Sequence, residues 1–87
     1  MAIVKKKVTI KNKQGLHARP AALFVQIANK FDSRIIVKYN KEEVNGKSIM
    51  GILMLGAESG SEIIIEADGK DAHIAIVELE KIISGQE

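Results

Sequence analysis

The chain contains no cysteine and no tryptophan, a single proline, and only three aromatic residues, Phe24, Phe31 and Tyr39. Without cysteine there is neither a disulfide framework nor a thiolate metal site, so burial of its many Ile, Leu, Val and Ala side chains must hold the 87 residues together. That economy suits a reducing cytoplasm, which is the expected location. Three aromatics are too few to interleave base-stacking platforms with the basic residues, and a net charge of only +2 is a weak electrostatic footprint, so nucleic acid is not an expected partner. No apolar run approaches a membrane span, and Met1-Ala2-Ile3-Val4, followed at once by Lys5-Lys6-Lys7, is too short for a signal segment. The length accommodates one small domain, expected over residues 1–87.

Hydrophobic periodicity orders the rest. Val4, Val8 and Ile10 share one face of a period-two segment, which predicts a strand over Ile3 to Ile10 with Lys5, Lys6 and Lys7 as solvated positions. Phe24, Ile27, Ala28 and Phe31 have the i, i+3, i+4, i+7 spacing of a helix packed on a core, predicting helix from Ala18 to about Lys30. Ile35 to Tyr39 and Glu42 to Val44 read as a hairpin joined by Asn40-Lys41. Ser48 is placed to cap a short helix from Ile49 to Leu55 that Gly56 stops. Ile63-Ile64-Ile65 is apolar on both faces, as a central strand is, and Asp71 is placed to cap a last helix whose Ala72, Ile76, Leu79 and Ile83 face inward while Glu78 and Glu80 face outward. The order βαββαβα with short connections predicts an α+β two-layer sandwich, an antiparallel sheet covered on one face by helices.

The segment Gly15-Leu16-His17-Ala18-Arg19-Pro20-Ala21-Ala22 carries the chemistry. It sets a histidine where the first helix begins, and a helix N-terminus offers unpartnered N–H groups and partial positive charge to an anion. Arg19 adds a permanent cation whose planar fork matches phosphoryl oxygens, although a cation at this end of a helix is mildly unfavourable unless it has a role. Pro20 loses nothing there, because the first turn does not need its N–H. Gly15 serves equally as a turn glycine and as a flexible approach to His17. His73, the other histidine, stands beside Asp71 with no second ligand at metal spacing and reads as a surface residue.

This octet resembles the active-centre loop of HPr, the histidine-containing phosphocarrier family of the bacterial phosphoenolpyruvate-dependent sugar phosphotransferase system, including its nitrogen-branch paralogue. The segment Asn45 to Gly56 is similar to the family's regulatory-serine helix, and the resemblance spans essentially the whole chain. It implies a four-stranded sheet in the order 1-4-2-3 with three helices. It implies further that the delta nitrogen of His17 accepts a phosphoryl group from enzyme I and passes it to IIA domains, with Arg19 stabilising the group and Gly15, Ala18 and Pro20 supporting the loop. Such a protein is a monomeric carrier rather than an enzyme and needs no cofactor or metal. A phosphohistidine suits the task, because an imidazole accepts and releases the group readily where a serine ester would trap it.

Ser48 has two roles to fill. As an N-cap it contributes about 1 kcal/mol. The resemblance adds phosphorylation by an ATP-dependent HPr kinase, and with it contact to a transcriptional regulator. The helix after Ser48 is apolar on every side, so some of it must face water: Ile52 and Leu55 are expected in the core, and Ile49, Met50 and Leu53 in an exposed docking patch. A nitrogen-branch carrier, or a purely regulatory protein acting through Ser48, are the alternatives that share this sequence pattern. Gly46 before Lys47 and the tail Gly85-Gln86-Glu87 depart from the family pattern and bear on docking and the helix end.

Overall fold

Val8, Ile35, Val37, Ile63, Ile65 and Ala67 occupy alternate positions in their segments and are all buried, as in strands that present one face to a core. The computed structural model describes residues 3–85, so Gln86 and Glu87 of the tail lie outside the described residues. Its elements are β1 (Ile3–Thr9), α1 (Ala18–Ala28), β2 (Arg34–Tyr39), β3 (Glu42–Asn45), α2 (Ile49–Leu55), β4 (Glu62–Asp68) and α3 (Ala72–Ile83). The strands form one antiparallel sheet in the order β1-β4-β2-β3. The triple-isoleucine strand is therefore internal, flanked by β1 and β2, with Ile63 and Ile65 buried in the core and Ile64 half-buried among the carboxylates of the open face. Phe24 of α1, Ile52 and Leu55 of α2, and Ala75, Ile76, Leu79 and Ile83 of α3 close the core over the same face of the sheet.

Boundaries move by one or two residues for local reasons. The first strand ends at Thr9, although Ile10 still bonds across to Ser61 and Gly60. Helix α1 ends at Ala28 rather than Lys30: the Asn29 amide donates to the Val25 carbonyl at 2.9 Å and to the Lys47 carbonyl at 3.1 Å, and the chain tightens into i−3 bonds through Phe31. Asn40 takes the left-handed conformation (φ 56°) that the two-residue hairpin needs and that Asn tolerates. On the open face, Glu66 lies 2.6 Å from Lys38 and 3.8 Å from Lys5, an ion pair that lowers the Glu66 pKa and raises that of Lys38. Lys6 reaches over the sheet edge to Glu80 of α3 at 3.2 Å.

Asp71 corrects one expectation. It occupies the N-cap position of α3, but its carboxylate makes no capping bond. It accepts instead from the backbone N–H of Asp32 at 2.8 Å, from that of Ser33 at 3.0 Å, and from the Ser33 hydroxyl. Ser33 is buried, and a Cβ on Gly69 would lie 2.5 Å from its oxygen, so glycine is required where the two loops meet. The latch ties the entry of β2 to the entry of α3.

The Ser33 hydroxyl first, and then the Asp32 N–H, hold the Asp71 carboxyl below the usual carboxylate range. A carboxylate with a lowered folded-state pKa stabilises the fold above its unfolded value and loses that contribution as the pH falls through about 3.9 and below. Thermal melts should therefore show the parent losing stability below about pH 4. Asp71→Asn should melt lower at neutral pH and decline less on acidification; an unchanged acid limb in that variant would contradict the latch.

Candidate functional site

The loop before α1 is fixed by two close contacts. Gly15 is buried at φ 63°, and a Cβ there would lie 2.7 Å from the Ala57 carbonyl oxygen and 2.9 Å from the Glu58 Cα. The Leu16 N–H donates to the Ala57 carbonyl at 2.9 Å, with the Leu16 side chain fully buried. Gly15 is thus required by conformation and by space, and it fastens the loop rather than loosening it.

The next residue, His17, is exposed and sits at the N-cap of α1 in extended conformation (φ −126°, ψ 162°) with no capping bond from its side chain. Ala18 follows at φ 50°, a left-handed conformation that costs an alanine on the order of 1 kcal/mol. The first-turn N–H groups have no intrahelical partner, and Pro20 lacks one altogether, which leaves Ala18 and Arg19 as free donors beside the imidazole. The first turn of α1 contains no acidic residue, so nothing within it offsets the positive end of the helix.

Arg19 is exposed, and among the described residues no ion pair or side-chain hydrogen bond holds it. It lines a groove of about 680 Å³ with Lys13, Pro20, Leu23 and Ile82, on the side of α1 that faces α3. Its guanidinium is thus uncommitted, two residues after His17 in the chain and in a groove whose lining does not include the histidine.

Ser48 lies at the other end of the helix pair. Its hydroxyl accepts from the Gly51 N–H at 3.1 Å, and Gly56 closes α2 in the left-handed conformation (φ 62°), so both ends of this short helix are capped as expected. Lys47, whose role sequence reasoning missed, joins the two helices: its amine donates to the Phe31 carbonyl at 2.6 Å, and its carbonyl accepts from Asn29. Gly46 is buried, and a Cβ there would lie 2.5 Å from the Ile35 Cγ2, which accounts for glycine before Lys47. With the start of α1 bonded to Ala57 and its end to Lys47, the helices run antiparallel. His17 and Ser48 are therefore separated by α2, roughly 10 Å of helix at 1.5 Å per residue.

Between them α2 presents its apolar face. Ile49 (40% exposed), Met50 (62%) and Leu53 (38%) are at the surface, and Met54 (74%), which sequence reasoning left unassigned, is more exposed than any of them. Its position four residues after Met50 was the available signal. His73 is exposed at the start of α3, and among the described residues no cluster is suited to a metal ion. Among the described residues no helix is long and apolar enough to cross a membrane.

Fold and site together define an open-faced α+β sandwich that presents an exposed histidine at the head of its first helix. Residues 4–85 match the family described as the PTS HPr component phosphorylation site. The chain is 49% identical over 74 residues to the HPr-like protein Crh of Halalkalibacterium halodurans, covering 85% of this chain and 88% of the relative. It is 40% identical over 84 residues to the phosphocarrier protein HPr of Treponema pallidum, covering 97% and 96%. The crystal structure of HPr from Bacillus anthracis superposes with a TM-score of 0.92 at 46% identity, covering 95% of this chain and 99% of that one. The chain belongs to the HPr family of phosphocarrier proteins.

The cap at Ser48 can be measured directly. Chemical denaturation should show Ser48→Ala less stable by about 1 kcal/mol and Ser48→Asp, which keeps an acceptor for the Gly51 N–H, within a few tenths of the parent. Equal stability of Ser48→Ala and the parent would contradict the cap.

Proposed function

We propose that this protein carries a phosphoryl group on the delta nitrogen of His17, receiving it from enzyme I and passing it to IIA domains of sugar permeases. It works as a single copy and as a covalently modified substrate of its partners, not as a turnover enzyme. The observation that carries this reading is the exposed imidazole, held by no hydrogen bond of its own, beside the free N–H groups of Ala18 and Arg19. A phosphoryl oxygen at that point takes those N–H donors and the positive end of α1, and the Arg19 guanidinium is free to swing onto it. In the transfer, a nitrogen lone pair of His17 attacks phosphorus as the bond to the donor breaks, and protonation of the imidazole restores a good leaving group for the return step.

The α2 face formed by Ile49, Met50, Leu53 and Met54 is the docking surface shared by donor and acceptors. Methionine adapts to unlike partners, which suits a carrier that must fit several. Ser48 borders this surface, so phosphorylation by an HPr kinase adds nearly two negative charges to what partners must cover. Its distance from His17 exceeds the screening length of about 8 Å at physiological salt, so the added charge acts on docking rather than on the imidazole itself. A second reading, regulation through Ser48 alone with contact to a transcriptional regulator, is favoured by the 49% identity to an HPr-like Crh protein. His17 at a site suited to phosphoryl transfer weighs against it.

One assay separates these roles: incubation with enzyme I and labelled phosphoenolpyruvate. The parent should acquire one acid-labile, base-stable phosphate, and His17→Ala none; undiminished labelling of that variant would overturn the assignment. Arg19→Ala should fold normally and transfer to a IIA domain about ten-fold or more slowly, with Arg19→Lys only partly restored. Ser48→Asp should charge more slowly than the parent while keeping its melting temperature, and charging at the parental rate would remove the regulatory role.

A further inference from the structure

With no cysteine in the chain, the thioethers of Met50, Met54 and Met1 are its only sulfur atoms. Two of them stand four residues apart on α2, 62% and 74% exposed, where i and i+4 side chains share one face. Neither belongs to the core, which α2 enters through Ile52 and Leu55. Nor does either hold the helix, whose ends are fixed by the Ser48 hydroxyl and by Gly56, and whose entry is tied down by Lys47. The two sulfurs are therefore open to oxidants and dispensable for folding, and they lie in the face assigned to docking.

We infer that Met50 and Met54 form an oxidation site through which a peroxide-class oxidant reversibly disables partner docking. The inference rests on the docking role given to α2 above. In the forward step a sulfur lone pair attacks a peroxide oxygen, the O–O bond breaks, a sulfoxide forms, and water leaves carrying both peroxide protons. Sulfur loses two electrons and the peroxide gains them. A thiol-dependent reductase reverses the change, with two thiols becoming a disulfide and the sulfoxide oxygen leaving as water. A sulfoxide is polar and hydrogen-bonding where the thioether was apolar, so covering it with a partner requires desolvating a group for which the interface offers no mate. The chain has no thiol to compete for the oxidant, and Met1 is the one other thioether in the sequence.

The test treats the full chain with hydrogen peroxide, removes the peroxide, and then measures charging by enzyme I at limiting carrier concentration. Peptide mass mapping should find one oxygen each on Met50 and Met54. The charging rate should fall about ten-fold or more, and recover on incubation with methionine sulfoxide reductases. The melting temperature should stay near that of the untreated protein. Met50→Leu/Met54→Leu keeps the patch apolar but removes both sulfurs, so whatever its starting rate, its charging rate after peroxide should equal its own rate before, with the Met1 that it retains controlling for oxidation there. Parental charging by the oxidised protein would overturn the inference, as would an equal loss in the double variant or a loss explained by unfolding. Met50→Glu tests the docking reading independently: if it charges slowly while the oxidised parent charges at full rate, docking stands and the oxidation site falls. If Met50→Glu charges normally, both fall.

Discussion

The packing of Gly15 and Leu16 against the backbone of Ala57 to Ser59 is the contact on which the site depends. A side chain at Gly15 would collide with backbone that cannot move aside, and the Leu16 N–H spends its bond on Ala57. Because this contact fixes the residue before His17, the imidazole is delivered to the start of α1 and not left on a mobile loop. The same contact brings the segment that follows α2 against the residues that lead into His17, so the proposed docking surface and the proposed acceptor are neighbours. Conformational strain is confined to the next residue, where Ala18 is left-handed.

Electrostatics then divides the labour along the α1–α2 pair. The head of α1 carries no carboxylate in its first turn and one arginine without an ion-pair partner among the described residues, an arrangement unfavourable for the resting helix and favourable for a bound phosphoryl group. The head of α2 is satisfied by the Ser48 hydroxyl. Antiparallel packing puts these two helix heads at opposite ends of one apolar face. In this account a charge at either end is read by a partner that spans both, which permits control of His17 from Ser48 without any contact between them.

Much of this was legible in the sequence because it is local. The period of β4, the cap at Ser48, the stop at Gly56 and the histidine at a helix start all follow from neighbours within a few residues. The sheet order came from family resemblance, supported by the two apolar faces of Ile63-Ile64-Ile65. What escaped were contacts between distant segments. Asp71 looks like a cap from its neighbours, but its partners Asp32 and Ser33 are 39 and 38 residues away. Nothing local marks Lys47, whose amine finds the Phe31 carbonyl 16 residues back, just past the end of α1. Gly46 read as a departure and is explained by Ile35. Met54 could not be assigned because a seven-residue helix that is apolar throughout does not reveal which side the core will take.

The central claim is that the head of α1 is pre-set to hold a phosphoryl group on His17. Backbone amide NMR spectra of the ¹⁵N-labelled protein, taken before and after phosphorylation by enzyme I and phosphoenolpyruvate, test it most directly. The largest downfield amide-proton shifts are expected on Ala18 and Arg19, whose N–H groups acquire a charged acceptor, while Ser48 and Gly51 at the far end of α2 change little. Unmoved amides at Ala18 and Arg19 in the phosphorylated protein, or shifts centred on the head of α2, would contradict it.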